Sequence, residues 1–133
     1  MALIVVDCSA LLAILFDEPE KQAFEDAIGG AERCLISAVN AHEAATVLRV
    51  RSGRAAVERL WRLLTTNQIE IVPFDESQVR AASIAFDCYG KGVHSKARLN
   101  LGDCAAYALA RNMNAPLLFK GDDFAETDLQ KCL

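Results

Sequence analysis

The sequence predicts an α/β fold: a three-layer α/β/α sandwich around a central parallel sheet of four to five strands. Three observations predict it. Short apolar runs without polar alternation recur along the chain, as strands covered on both faces require. Stretches of helical composition separate these runs, which is the order of a parallel sheet. The 133 residues, 53% of them hydrophobic, supply a full core for one domain, 1–133, with no linker, low-complexity segment or internal repeat.

Leu3-Ile4-Val5-Val6 is the first strand, closed by Asp7. From Ser9 a short apolar helix follows, and a second helix starts near Pro19 behind acidic residues and runs to a stop at Gly29-Gly30. Cys34 to Ser37 forms the second strand, and Asn40 to Arg51 a helix that ends before Gly53. Arg54 to Thr65 is helical, with Val57, Leu60, Trp61 and Leu64 on one stripe. Ile69 to Phe74 is the third strand and Ser77 to Tyr89 an amphipathic helix. A polar, basic loop, Gly90 to Gly102, leads to an alanine-rich helix, Asp103 to Met113. Pro116 to Phe119 is the fourth strand, and Leu129 to Leu133 is a candidate edge strand.

Composition excludes several classes. The apolar run from Leu3 to Phe16 lacks a basic leader, carries Asp7 and falls short of the roughly 20 residues of a membrane span. A soluble, cytoplasmic protein is therefore expected. Five cysteines, Cys8, Cys34, Cys88, Cys104 and Cys132, show neither CxxC spacing nor a Cys/His cluster, so buried, reduced thiols are expected rather than disulfides or zinc. The net charge of −4 argues against a nucleic-acid partner only until position is considered. Four clustered carboxylates set aside, the 18 acidic residues come level with the 14 basic ones.

Parallel sheets bind ligands beyond the carboxyl ends of their strands. Asp7 ends strand one, and Glu43 lies in the first turn after strand two. Asp103 opens the helix leading into strand four, and Asp122 and Asp123 follow that strand. Each admits a blander role. Asp7 can cap the helix after it, Asn40-x-x-Glu43 and Asn100-x-x-Asp103 read as capping boxes, and Asp122-Asp123 as a polar turn. Joint placement favours function. Crowded carboxylates either hold protons or recruit a cation, and hard divalent ions prefer oxygen ligands. The chemistry that follows is phosphodiester hydrolysis, with the acids as ligands and one of them a possible general base.

At these residues the chain resembles the PIN-domain family, specifically the VapC-type toxins of toxin–antitoxin pairs. The carriers are I-V-V-D-C-S-A-L-L-A-I-L, the E-P-E after it, the helix with Glu43, Y-G-K-G-V-H-S-K-A-R-L-N-L-G-D-C-A-A-Y-A-L-A, and P-L-L-F-K-G-D-D-F-A-E-T-D-L. The resemblance implies a PIN-domain-like fold and an Mg²⁺- or Mn²⁺-dependent endoribonuclease that inhibits translation. It further implies a homodimer and a larger assembly with a neutralising antitoxin. By the same resemblance Asp7, Glu43 and Asp103 match the first three metal-site acids. The K-G-x-D-F pattern assigns the fourth to Asp123, with Asp122 as the alternative. Ser9 matches the hydroxyl residue that supports the site, and Cys8 replaces a commoner Thr or Ala.

Lys91, His94, Lys96 and Arg98 precede Asp103 and are candidate RNA contacts, although a solvated loop explains each singly. Lys120 and the group Arg49, Arg51 and Arg54 admit the same two readings. His42 and His94 have no recognisable partner for acid–base work, and Trp61, Phe74 and Phe86 sit at core-like spacing. Two rival functions remain. A phosphoaspartyl phosphatase or receiver would use Asp7 or Asp75, but Ser9 stands where such a phosphatase carries its second acid, and strand one offers only one acid. A catalytically inactive PIN-like binding module would lack an acid, and none is missing.

Overall fold

The computed structural model describes residues 3–94 and 96–133 and places the opening apolar run at the centre of the sheet. Ser95, part of the basic loop and of the motif quoted around it, lies outside the described residues, as do Met1 and Ala2. The elements run β1 (Leu3–Val6), α1 (Cys8–Leu15), α2 (Lys21–Gly30), β2 (Arg33–Ser37), α3 (Ala38–Ser52), α4 (Arg54–Thr66), β3 (Ile69–Val72), α5 (Glu76–Tyr89), α6 (Leu101–Asn112) and β4 (Leu117–Leu118).

Side chains alternate across a strand, so Ile4 and Val6 enter one core with Cys34, Ile36 and Leu118, while Val5 enters the other with Leu35 and Leu117. The first core is closed by α1 to α4 through Leu11, Ile14, Phe24, Ile28, Leu48, Leu60 and Leu64. The second is closed by α5 and α6 through Ala82, Ala85, Cys104 and Leu109. This is the expected three-layer sandwich. Ile4, Val5 and Val6 are wholly buried, each contributing about 1.5–3 kcal/mol of transfer free energy.

All pairings are parallel, in the order β3-β2-β1-β4, with Ile4 opposite Cys34, Val5 opposite both Leu35 and Leu117, and Ile36 opposite Ile71. The chain leaves β1 towards β2 under helices of one layer and reaches β4 under helices of the other. The crevice of such a reversal opens past the carboxyl ends of β1 and β4. Asp7 sits there.

Several boundaries differ from expectation. α2 begins at Lys21 rather than near Pro19, and it ends at Gly30, as expected, with Ala31 as its C-cap. The tail meets β4 at a single bridge, Leu117 to Lys131, rather than as an edge strand, because β4 offers only two residues to pair with. On α4, Leu60 and Leu64 face the core but Trp61 turns outward, and on α5 Phe86 is likewise exposed. Phe74 alone of those three aromatics packs against a core, from its edge. Among the described residues no helix is long and apolar enough to cross a membrane. Among the described residues no cysteine is in a disulfide; Cys8, Cys34 and Cys104 are buried and Cys132 partly so, but Cys88 on α5 is exposed, against expectation.

Candidate active site

Asp7 takes extended backbone geometry and caps α1. The Ser9 backbone N–H donates to its Oδ2 at 3.0 Å and the Ser9 hydroxyl at 2.6 Å. The same hydroxyl accepts from the Lys120 backbone N–H at 2.9 Å, tying the end of β1 to the turn after β4. Capping and a role at the site are thus compatible in one side chain. Asp7 is 5% exposed, and burial lifts its pKa from 3.8 to about 6; the Ser9 bonds oppose the rise and the Glu43 charge adds to it.

Asp103 opens α6 from the third position of an authentic capping box. Its backbone N–H donates to Asn100 Oδ1 at 2.9 Å, and the Asn100 N–H donates back to Asp103 Oδ2 at 3.1 Å. Burial raises its pKa to about 7, opposed by the Asn100 bond and reinforced by the charges of Asp7 and Asp123. A side-chain hydrogen bond with Asp123 adds to the rise.

Glu43 reaches the same corner from α3. Its two carboxylate oxygens lie against Gly102, where a Cβ would meet them at 2.7 and 2.8 Å. The Cys8 thiol donates to Glu43, and burial together with the charges of Glu43, Asp7 and Asp103 pushes that thiol far above its ordinary range. Gly102 and Cys8 are thus in contact with a site residue, which the one-dimensional pattern did not single out.

The turn after β4 carries the two last acids. Gly121 adopts φ +101, and Phe124 is buried with its ring edge-on to Phe119 at 4.9 Å. Asp122 and Asp123 are both exposed; Asp123 is the one whose charge acts on Asp103, while the Asp122 backbone carbonyl accepts from the Ala125 N–H at 3.0 Å. Mutual charge thus links Asp7, Glu43, Asp103 and Asp123.

Other expectations fare differently. Asn40 is not a cap; Ser37 caps α3 by accepting from Val39, and Asn40 lies buried within the helix. His94 holds its own loop, accepting at Nδ1 from the Lys96 and Ala97 backbone N–H groups, with its ring against Tyr89. Lys91, Lys96 and Arg98 are exposed, and among the described residues none of the four touches an acid of the site. Lys120 is not a free cation but pairs with Glu18 at 2.9 Å and Glu20 at 3.3 Å. His42, Arg49 and Arg54 line an open groove between α3 and α4. Asp75 is an exposed cap of α5 that accepts from Gln78.

No Lys, Arg or His among the described residues forms an ion pair with any of the four acids. Nor do three His, Cys, Asp or Glu side chains among the described residues stand in a ready metal-holding group. Burial, with charge from the neighbouring acids, raises the proton affinity of Asp7 and Asp103. That arrangement fits an ion such as Mg²⁺, which keeps several waters and takes only part of its shell from protein carboxylates.

The fold agrees with known proteins. The PIN domain family model matches residues 4–129. Ribonuclease VapC30 of Mycobacterium tuberculosis is 41% identical over 125 residues, covering 94% of this chain and 95% of that protein. Ribonuclease VapC of Mycolicibacterium smegmatis is 41% identical over 125 residues, covering 94% and 96%. Among solved structures, Mycobacterium tuberculosis VapC20, described as a sarcin-ricin loop cleaving toxin, superimposes with a TM-score of 0.78 at 15% identity, over 95% of each chain. VapC of the Rickettsia felis VapBC2 complex is similar at a TM-score of 0.71 and 12% identity, over 97% and 96%. The chain belongs to the PIN-domain family, as a member of its VapC ribonuclease branch.

Proposed function

We propose that this protein is a metal-dependent endoribonuclease toxin of the cytoplasm, inhibiting translation and neutralised by a cognate antitoxin. Asp7, Glu43, Asp103 and Asp123 are its metal-site residues and Ser9 their support. The observation that carries this reading is the gathering of four acids from four chain segments with no ion-paired cation among the described residues. Burying the charge of Asp7 and Asp103 costs several kcal/mol unless protons or a cation relieve it. Kinship to ribonucleases of similar length and pattern supports an RNA substrate.

When bound, Mg²⁺ or Mn²⁺ supplies positive charge for the scissile phosphate and lowers the pKa of water at the site. The chain does the rest. Ser9 holds the Asp7 carboxylate through two donated bonds, and the capping box fixes Asp103 at the start of α6. Asp123, on an exposed turn, is the acid with freedom to follow substrate. One of the acids is assigned to take the proton from water as general base. Lys91, Lys96 and Arg98, exposed upstream of Asp103, are assigned to RNA phosphates, and the His94 ring to the order of their loop.

The test is induced expression with mapping of new RNA 5′ ends, wild type against Asp7→Asn. Growth arrest and discrete new ends in wild type alone support the proposal; arrest that persists in a folded Asp7→Asn protein refutes the assigned site.

A further inference from the structure

Asn40, the third residue of α3, is 0% exposed. Its side-chain Nδ2 donates to the Gly102 carbonyl at 2.9 Å and, more weakly, to Glu43 Oε1 at 3.4 Å. The Gly102 carbonyl can only accept, so the amide must turn its NH₂ towards α6. Oδ1 then faces the other way, where no donor among the described residues meets it. A buried acceptor left so costs about 1–3 kcal/mol. Ala or Leu would avoid that cost, and Ser37 already caps the helix. The fold by itself has no use for an amide here.

We propose that Asn40 is a positioning residue for the acid cluster, setting the separation between Glu43 on α3 and Asp103 on α6. Three contacts make the device. Asn40 holds the carbonyl of Gly102, the residue directly before Asp103. The Gly102 α-carbon lies against the Glu43 carboxylate, with no room for a methyl group. Asn40 also touches that carboxylate from within its own helix, one turn before it. The two acids are therefore gauged against each other through a pair of residues that bear no charge. This role rests on the reading of the acids as a divalent-metal centre.

The test is Mn²⁺ titration by calorimetry of wild type, Asn40→Ala and Asn40→Asp, alongside kcat and KM for RNA cleavage. Asn40→Asp keeps the volume but cannot donate to the Gly102 carbonyl when ionised. The Mn²⁺ Kd is expected to weaken about 10–100-fold and kcat to fall in parallel, with KM for RNA within about twofold. The melting temperature of metal-free Asn40→Ala is expected near that of wild type, which separates positioning from general support. A Mn²⁺ Kd within about twofold of wild type in a folded variant overturns the role. Should both variants fail to fold, the side-chain amide resonance of Asn40 in wild type is followed on adding Mg²⁺. A shift that saturates with metal binding supports the role, and a stationary resonance overturns it. A wild-type protein that binds no Mn²⁺ at all refutes the metal centre itself, a separate failure.

Discussion

Two acidic groups flank the carboxyl ends of the central strands, and the protein treats them oppositely. Glu18 and Glu20, in the turn between α1 and α2, are part-exposed and share the Lys120 ammonium. Asp7 and Asp103, 5% and 8% exposed, face Glu43 and Asp123 with no cation from the chain. The Lys120 backbone N–H binds Ser9, which binds Asp7, so the two groups are neighbours joined by one residue. Lys120 thus borders the buried group through its backbone, while its side chain goes to the exposed one. Counter-charge withheld from buried carboxylates is what marks a site for an outside ion.

The largest effect expected is on cleavage. Asp103→Asn or Asp7→Asn should lower kcat by about 10³-fold or more, since losing a ligand or transition-state charge costs several kcal/mol of barrier. Glu18→Gln, in the group satisfied by lysine, should leave kcat nearly unchanged. Turnover of a labelled RNA at saturating Mn²⁺ checks both, with circular dichroism to confirm folding. Equal losses from the two groups would break the contrast.

Stability should move the opposite way. Asp7 and Asp103 bind protons more tightly folded than unfolded, so the native state holds more protons between about pH 4 and 7. Stability of the metal-free protein then falls as pH rises through that window, since the unfolded state binds fewer protons. For Asp7, lifted from 3.8 to about 6, the loss is on the order of 3 kcal/mol. Urea melts at pH 5 and pH 8 should capture roughly half of the Asp7 loss, with Asp103 adding its own. Asp7→Asn, which keeps a good capping residue, should recover that loss at pH 8. Mn²⁺ at about 100 times its Kd should add about 2.7 kcal/mol to wild type and much less to that variant. Wild-type stability that instead rises with pH would mean the acids are already neutralised from within.

A third, smaller effect concerns the basic loop. Replacing Lys91, Lys96 and Arg98 together by Ala should raise KM for RNA several-fold with kcat unchanged. The salt dependence of RNA binding should fall by about 0.7 in log–log slope for each phosphate that the loop no longer neutralises. An unchanged slope would return these residues to plain solvation.

Much of this was legible in one dimension, and the misreadings have a common cause. The unbroken run Leu3 to Val6 announces a central strand because no polar residue marks a wet face. Asp7 and Asp103 sit at segment ends that topology places together. What the sequence could not separate were roles that share a spacing. Asn40-x-x-Glu43 reads as a capping box, yet the cap is Ser37, and Asn40 bonds a carbonyl 62 residues away that no local pattern reveals. Asn100-x-x-Asp103, with the same spacing, is a true box. Of Asp122 and Asp123, it is the second whose charge acts on Asp103, which their adjacency hides. The Trp61 and Phe86 stripes failed because they lie at the margins of their helices' buried faces.

The smallest effect tests whether burial or mere charge count defines a metal site. Lys120→Met removes the ammonium from Glu18 and Glu20 while keeping the backbone N–H that binds Ser9. Both side chains are more than a third exposed, so water takes over from the lysine except at Glu20 Oε1, which is itself buried. A slight fall in melting temperature is expected, with no added equivalent of Mn²⁺ in calorimetry and little change in kcat. Two part-exposed carboxylates freed of their lysine gain nothing from an ion that water does not already give them, whereas the buried group has no such alternative. A second Mn²⁺ equivalent in Lys120→Met would show that unpaired acids alone suffice, and the weight placed on burial at Asp7 and Asp103 would then be misplaced.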